Sequence, residues 1–78
     1  MKQKIRIIAQ ENALTFARIK KGMERSDLAK SVGLSTAQIF YIEKGKATTA
    51  RSASKIAKAL NLEFDDLFEV IHGVKIDD

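Results

Sequence analysis

The sequence predicts an all-α domain: five short helices around one small core, with room for a short extended segment at each end. Three observations predict it. The stretch Arg25–Glu43, RSDLAKSVGLSTAQIFYIE, reads as two short helices around a tight turn. Apolar residues recur at helical spacing in three further segments. The chain has 78 residues, no proline and no cysteine, which fits one domain with a small core and excludes a disulfide framework or a thiol zinc site.

Taken in order, Lys4–Ala9 alternate loosely and contain three isoleucines, the pattern of a short strand or an extended arm. Asn12 is a good N-cap for a first helix running to about Lys20. Leu14 and Ala17 face inward there, with Phe16 at the edge. Gly22 ends that helix after two lysines suited to its C-terminus, and Met23 re-enters the core. Arg25 to Val32 forms the second helix. Ala29 must be small because the next helix crosses close to it, and Gly33 supplies the positive φ of the turn. Leu34 returns the chain to the core and Ser35 caps the third helix, Thr36 to Lys44, whose back is buried by Ile39 and Ile42. Gly45 closes it. Thr49 caps a fourth helix, Ala50 to Leu60, with the inward stripe Ala53, Ile56, Ala57 and Leu60. EFDDLFEVI reads as a fifth helix, with Phe64, Leu67, Phe68 and Ile71 on one face. His72-Gly73 is a turn signal, and VKI a brief strand or tail.

This gives an N-terminal arm or strand over 1–11, a helical domain over 12–68 with the two-helix unit at about 25–44, and a C-terminal tail over 69–78. The end of the chain is more apolar than so small a core needs. Phe68, Ile71, Val74 and Ile76 are therefore expected to form a self-association surface, and Ile5, Ile7 and Ile8 are candidates to add a strand to it.

Charge is unevenly spread. Residues 1–60 carry thirteen of the fourteen Lys/Arg against four acidic residues, a net of +9, while residues 61–78 carry one lysine against six, a net of −5. A basic body attracts phosphate and an acidic tail does not. No apolar run approaches a membrane span and no signal-peptide pattern opens the chain, so no membrane partner is expected and a cytoplasmic location is. The lone His72 has no cluster of partners. Asp65 and Asp66 point in different directions on a helix and complement its N-terminus. With no glycine-rich phosphate loop and no metal spacing, no enzyme, catalytic residue, metal site or cofactor is expected.

Two helices crossing steeply over a short turn are the helix-turn-helix unit. An ordinary helical hairpin explains the same buried residues. The outer face of the third helix separates the two readings. There Ala37, Phe40, Tyr41 and Lys44 point away from Ile39 and Ile42. A solvated face rarely carries Phe beside Tyr with so few charges.

These residues carry a family resemblance. KKGMERSDLAKSVGLSTAQIFYIEKGK, followed by KIAKALNL and FDDLF, resembles the phage repressor and Cro family of helix-turn-helix domains over about residues 12–68. The resemblance implies a compact lambda-repressor-like five-helix bundle whose third helix reads the major groove. It implies that Thr36, Ala37 and Tyr41 meet base edges and that Arg25, Lys44 and Lys46 meet phosphates. It also implies an ion pair between Arg18 and Glu43, and a bacterial or phage-encoded protein. Two departures stand out. Glu24-Arg25 replaces the family's usual Ser/Thr-Gln, a poorer cap with an added charge. The third helix also lacks the arginines and glutamines often found there, leaving Gln38 as its one bidentate amide, so base readout is expected to be modest and partly indirect.

Two functions follow. One is a sequence-specific regulator of transcription, a repressor bound as a homodimer to a two-fold DNA operator, with Thr36, Ala37, Gln38 and Tyr41 at bases and Arg25, Lys44, Lys46 and Arg51 at phosphates. The other is a protein-interaction module, such as an antitoxin, whose Phe40–Tyr41 face and acidic fifth helix bind a partner protein.

Overall fold

The computed structural model describes residues 5–72. In chain order the elements are β1 (Ile5–Ala9), α1 (Ala13–Lys20), α2 (Arg25–Val32), α3 (Thr36–Glu43), α4 (Ala50–Ala59), α5 (Phe64–Leu67) and β2 (Phe68–His72). The architecture is the expected five-helix domain, with a two-stranded antiparallel ribbon made by its ends.

Local chemistry fixes the central helices. Ser35 and Gln38 cap α3 reciprocally: the Gln38 N–H donates to Ser35 Oγ at 3.0 Å, and the Ser35 N–H donates to Gln38 Oε1 at 2.8 Å. Thr49 Oγ1 accepts from the Ser52 N–H at 3.1 Å and starts α4. Gly33 has φ +75°, and no atom lies within 4 Å of where its Cβ would be. Backbone conformation, rather than crowding, therefore demands glycine there. The expected core residues are buried: Leu14, Leu28, Ala29, Val32, Ile39, Ile42, Ala53, Ile56, Ala57 and Leu60 enclose one cluster with Leu67 and Phe68.

The start of α1 differs from expectation. Asn12 makes no side-chain cap bond and has φ +64°. Its short side chain suits it to the left-handed conformation of the turn before the helix. That turn is closed by the Ala13 N–H donating to the Gln10 carbonyl at 3.1 Å.

The fifth helix is also shorter than its periodicity predicts. It stops at Leu67, and Phe68 is extended at φ −127°, ψ 163°. A continued helix would hydrogen-bond the carbonyls of Asp65, Leu67 and Phe68 to the amides four residues on. Gln10 takes all three instead. Its Nε2 donates to Asp65 at 2.7 Å and to Phe68 at 3.0 Å, and its N–H donates to Leu67 at 2.8 Å. The β-branched Val70 and Ile71 then favour a strand, and β1 is in place to receive it, with Ile7 opposite Val70 and Ala9 opposite Phe68. His72 closes the ribbon opposite Ile5, and Gly73, the other half of the turn signal, lies outside the described residues.

The strand changes the expected dimer surface. Phe68 is 1% exposed and packs on Phe64, with ring centroids 5.5 Å apart, so it belongs to the domain's own core and is withdrawn as a surface residue. Ile71 remains exposed, joined by Val70 and Ile5. Val74 and Ile76 lie outside the described residues.

Candidate nucleic-acid interface

Helix α3 buries Ile39 and Ile42 and leaves Thr36, Ala37, Gln38, Phe40 and Tyr41 exposed. All four candidate base-reading residues therefore share one accessible helix. An open groove of about 330 Å³ runs between α3 and the start of α4, bounded by Gln38, Tyr41, Lys46, Thr48, Thr49 and Ser52 among others. The wall formed by Thr48, Thr49 and Ser52 was not among the expected contacts. The Thr48 N–H donates to the Ile7 carbonyl at 2.9 Å, which fastens that wall to β1. Nothing local in the sequence signals this long-range pairing.

Gln38 is less free than its sequence position promises. Its Oε1 already accepts the Ser35 N–H in the cap, so a bidentate base contact has to share that oxygen with the cap or open it.

Arg25 is likewise engaged. Its Nε donates to Glu43 Oε1 at 2.8 Å, while Arg18 Nε donates to Glu43 Oε2 at 2.7 Å. The expected Arg18–Glu43 pair is thus present and carries a third member. Glu43's side chain is 1% exposed and Arg18's 7%, whereas Arg25's is 38% exposed. Arg18 also donates through Nη1 to the Met23 carbonyl at 2.9 Å. Burial pushes the Glu43 carboxyl up, but the hydrogen bonds and charges of Arg18 and Arg25 outweigh it and hold the carboxyl below its ordinary range. Helices α1, α2 and α3 meet at this carboxylate. The poor cap expected at Glu24 is helped from within α2, where Asp27 Oδ2 accepts the Glu24 N–H at 2.8 Å.

The cations gather around the aromatic pair. Arg25 Cζ lies 5.0 Å from the Phe40 ring centroid and Lys44 Nζ 5.4 Å from the same ring, while Lys46 Nζ lies 5.5 Å from the Tyr41 ring. Arg51 is exposed in the first turn of α4. Among the described residues no helix is long and apolar enough to cross a membrane.

Comparison with known proteins points the same way. A family described as Helix-turn-helix matches residues 15–67. An uncharacterised HTH-type transcriptional regulator of Archaeoglobus fulgidus is 44% identical over 52 residues, covering 65% of this chain and 74% of the relative. One from Methanocaldococcus jannaschii is 37% identical over 59 residues, covering 74% of this chain and 89% of the relative. The crystal structure of the transcriptional regulator VanUg superposes with a TM-score of 0.66 at 24% identity, covering 86% of this chain and 87% of that one, and shows the shared fold.

Proposed function

Because this chain belongs to the Cro/C1-type helix-turn-helix family of transcriptional regulators, we propose that it is a repressor that binds a specific double-stranded DNA operator as a homodimer. The observation that carries this reading is the outward face of α3, with Thr36, Ala37 and Tyr41 exposed opposite the buried Ile39 and Ile42. Thr36 and Ala37 suit thymine methyl groups, and the Tyr41 hydroxyl suits one hydrogen bond to a base edge. Arg25, Lys44, Lys46 and Arg51 suit phosphates. Bound across a promoter, such a protein represses by occlusion. Selection of bound sequences from random duplex DNA tests the reading, and a two-fold consensus is the expected result. A protein-interaction module would instead show no salt-dependent binding to duplex DNA.

Tyr41 separates base reading from general attraction. Its ring also carries Lys46, so Tyr41→Phe removes the hydroxyl and leaves the ring in place. Operator binding should weaken by about 0.5–1.5 kcal/mol while binding to random duplex is unchanged. Equal change on both DNAs would remove Tyr41 from the base contacts.

The proposed homodimer forms through the ribbon. The outer edge of β1 is closed at Ile7 by Thr48, and among the described residues no strand lies beside the outer edge of β2. An open edge is a template for another strand, and two stranded ribbons gain stability by widening. Pairing β2 with its copy about a two-fold axis at Val70 gives a four-stranded sheet and covers the exposed Val70. A two-fold dimer sets its two α3 helices for successive major grooves, ~34 Å apart. Sedimentation at micromolar concentration is the check. Val70→Lys should give a monomer with unchanged helical content and weaker binding to a two-half-site duplex. A wild-type chain that stays monomeric both free and on its operator would sink the dimer.

A further inference from the structure

We infer that Phe40 is a positioning residue for the DNA backbone: its ring holds Arg25 and Lys44 as a preformed phosphate clamp beside the reading helix. The inference rests on the DNA-binding reading and assigns within it a residue that has no evident base to read.

Phe40 is 36% exposed in the middle of α3, whose apolar back is already supplied by Ile39 and Ile42. It is therefore not needed to close the core. Its ring instead meets two cations, Arg25 Cζ at 5.0 Å and Lys44 Nζ at 5.4 Å. Tyr41 meets that ring edge-on, with centroids 5.4 Å apart and planes at 72°, and carries Lys46 at 5.5 Å. Three positive side chains from two separate segments are thus drawn to one aromatic pair.

Glu43 fixes the other end of Arg25. Its Oε1 accepts a hydrogen bond from Arg25 Nε at 2.8 Å, so the same guanidinium is held by this carboxylate and by the ring. Arg18 already balances the Glu43 charge at 2.7 Å, so the cluster keeps a net positive charge at Arg25. The only ion pairs among the described residues are those two, which leaves Lys44 and Lys46 on aromatic faces without a carboxylate. Ring quadrupoles attract cations without cancelling their charge. A carboxylate at this place would hold the same side chains and repel phosphate. Ordering a long side chain on binding costs affinity, and a ring that orders it beforehand removes part of that cost.

The test titrates a random-sequence duplex with the full chain at salt from about 50 to 200 mM. Phe40→Leu keeps all the cations, so the salt slope should stay at the wild-type value while affinity falls about three- to tenfold at every salt. Phe40→Tyr, which retains a ring, should recover most of that loss. Lys44→Ala should instead lower the slope by about one unit. Thermal unfolding of each variant establishes that it is folded. Should Phe40→Leu not fold, pentafluorophenylalanine at position 40 decides, because it keeps the shape and reverses the quadrupole, and the same uniform loss is expected. Wild-type affinity in a ringless or fluorinated variant, or a Tyr variant no better than Leu, would each overturn the clamp. A wild-type chain that binds no duplex at any of these salts overturns the DNA-binding reading itself, and the clamp with it.

Discussion

Glu43→Ala should cost about 3–5 kcal/mol of folding stability, a large share of the stability open to a domain of this size. The carboxylate is 1% exposed and, among the described residues, is the sole anionic partner of Arg18, which is itself 7% exposed. Removing it leaves a buried guanidinium with one neutral acceptor, the Met23 carbonyl at 2.9 Å. Arg25 is 38% exposed and can turn to water, so Arg25→Ala should change stability by about 1 kcal/mol or less. The contrast between the two variants tests where the strain falls. Denaturant unfolding measures both, and a Glu43→Ala variant within about 1 kcal/mol of wild type would contradict it. Acid gives the same interaction a second readout. The folded-state pKa of Glu43 is held below its ordinary 4.5, so the stabilisation is fully present above that value and is lost as pH falls through the lower, folded one. Glu43→Gln should therefore show a flatter acid limb than the wild type.

The interior of the fold was legible in the sequence because it is built from local signals. Ser35, Thr49 and Gly33 mark boundaries by chemistry that acts within a few residues, and the stripe Ala53, Ile56, Ala57 and Leu60 needs only a helical period. The C-terminal segment misleads for the opposite reason. Phe64, Leu67, Phe68 and Ile71 have helical spacing, yet the helix ends where Gln10, more than fifty residues upstream, satisfies its carbonyls. Asn12 misleads more gently, since one short polar side chain serves both caps and left-handed turns.

The candidate site divides in the same way. Thr36, Ala37, Gln38 and Tyr41 follow from the helical period once Ile39 and Ile42 are taken as the back of α3. The Arg18–Glu43 pair came from family resemblance, and spacing alone says nothing of Arg25 joining it. The Ser35-x-x-Gln38 spacing is itself the capping-box pattern, and it ties the Gln38 carboxamide oxygen to the cap. The Arg18, Arg25 and Glu43 contacts join side chains brought together by packing, and only the assembled helices display them.

The strand reading of the C-terminus makes its own large prediction: Phe68→Ala should destabilise the domain by about 3–5 kcal/mol. Phe68 is the largest of the fully buried side chains and lies opposite the small, buried Ala9 in the ribbon. Its ring belongs to the same buried cluster as Ala9 and meets the Phe64 ring at 5.5 Å between centroids. Truncation empties that space at the junction of α5, β2 and β1, where the surrounding elements are short. Val70, two residues on, is 49% exposed, so at protein concentrations too low for dimerisation Val70→Lys should leave the unfolding midpoint nearly unchanged. Denaturant unfolding of both variants, with sedimentation of each below its transition, distinguishes a core residue from a dimer contact. A Phe68→Ala chain that keeps wild-type stability and merely becomes monomeric would return Phe68 to the interface and undo the strand reading that buries it.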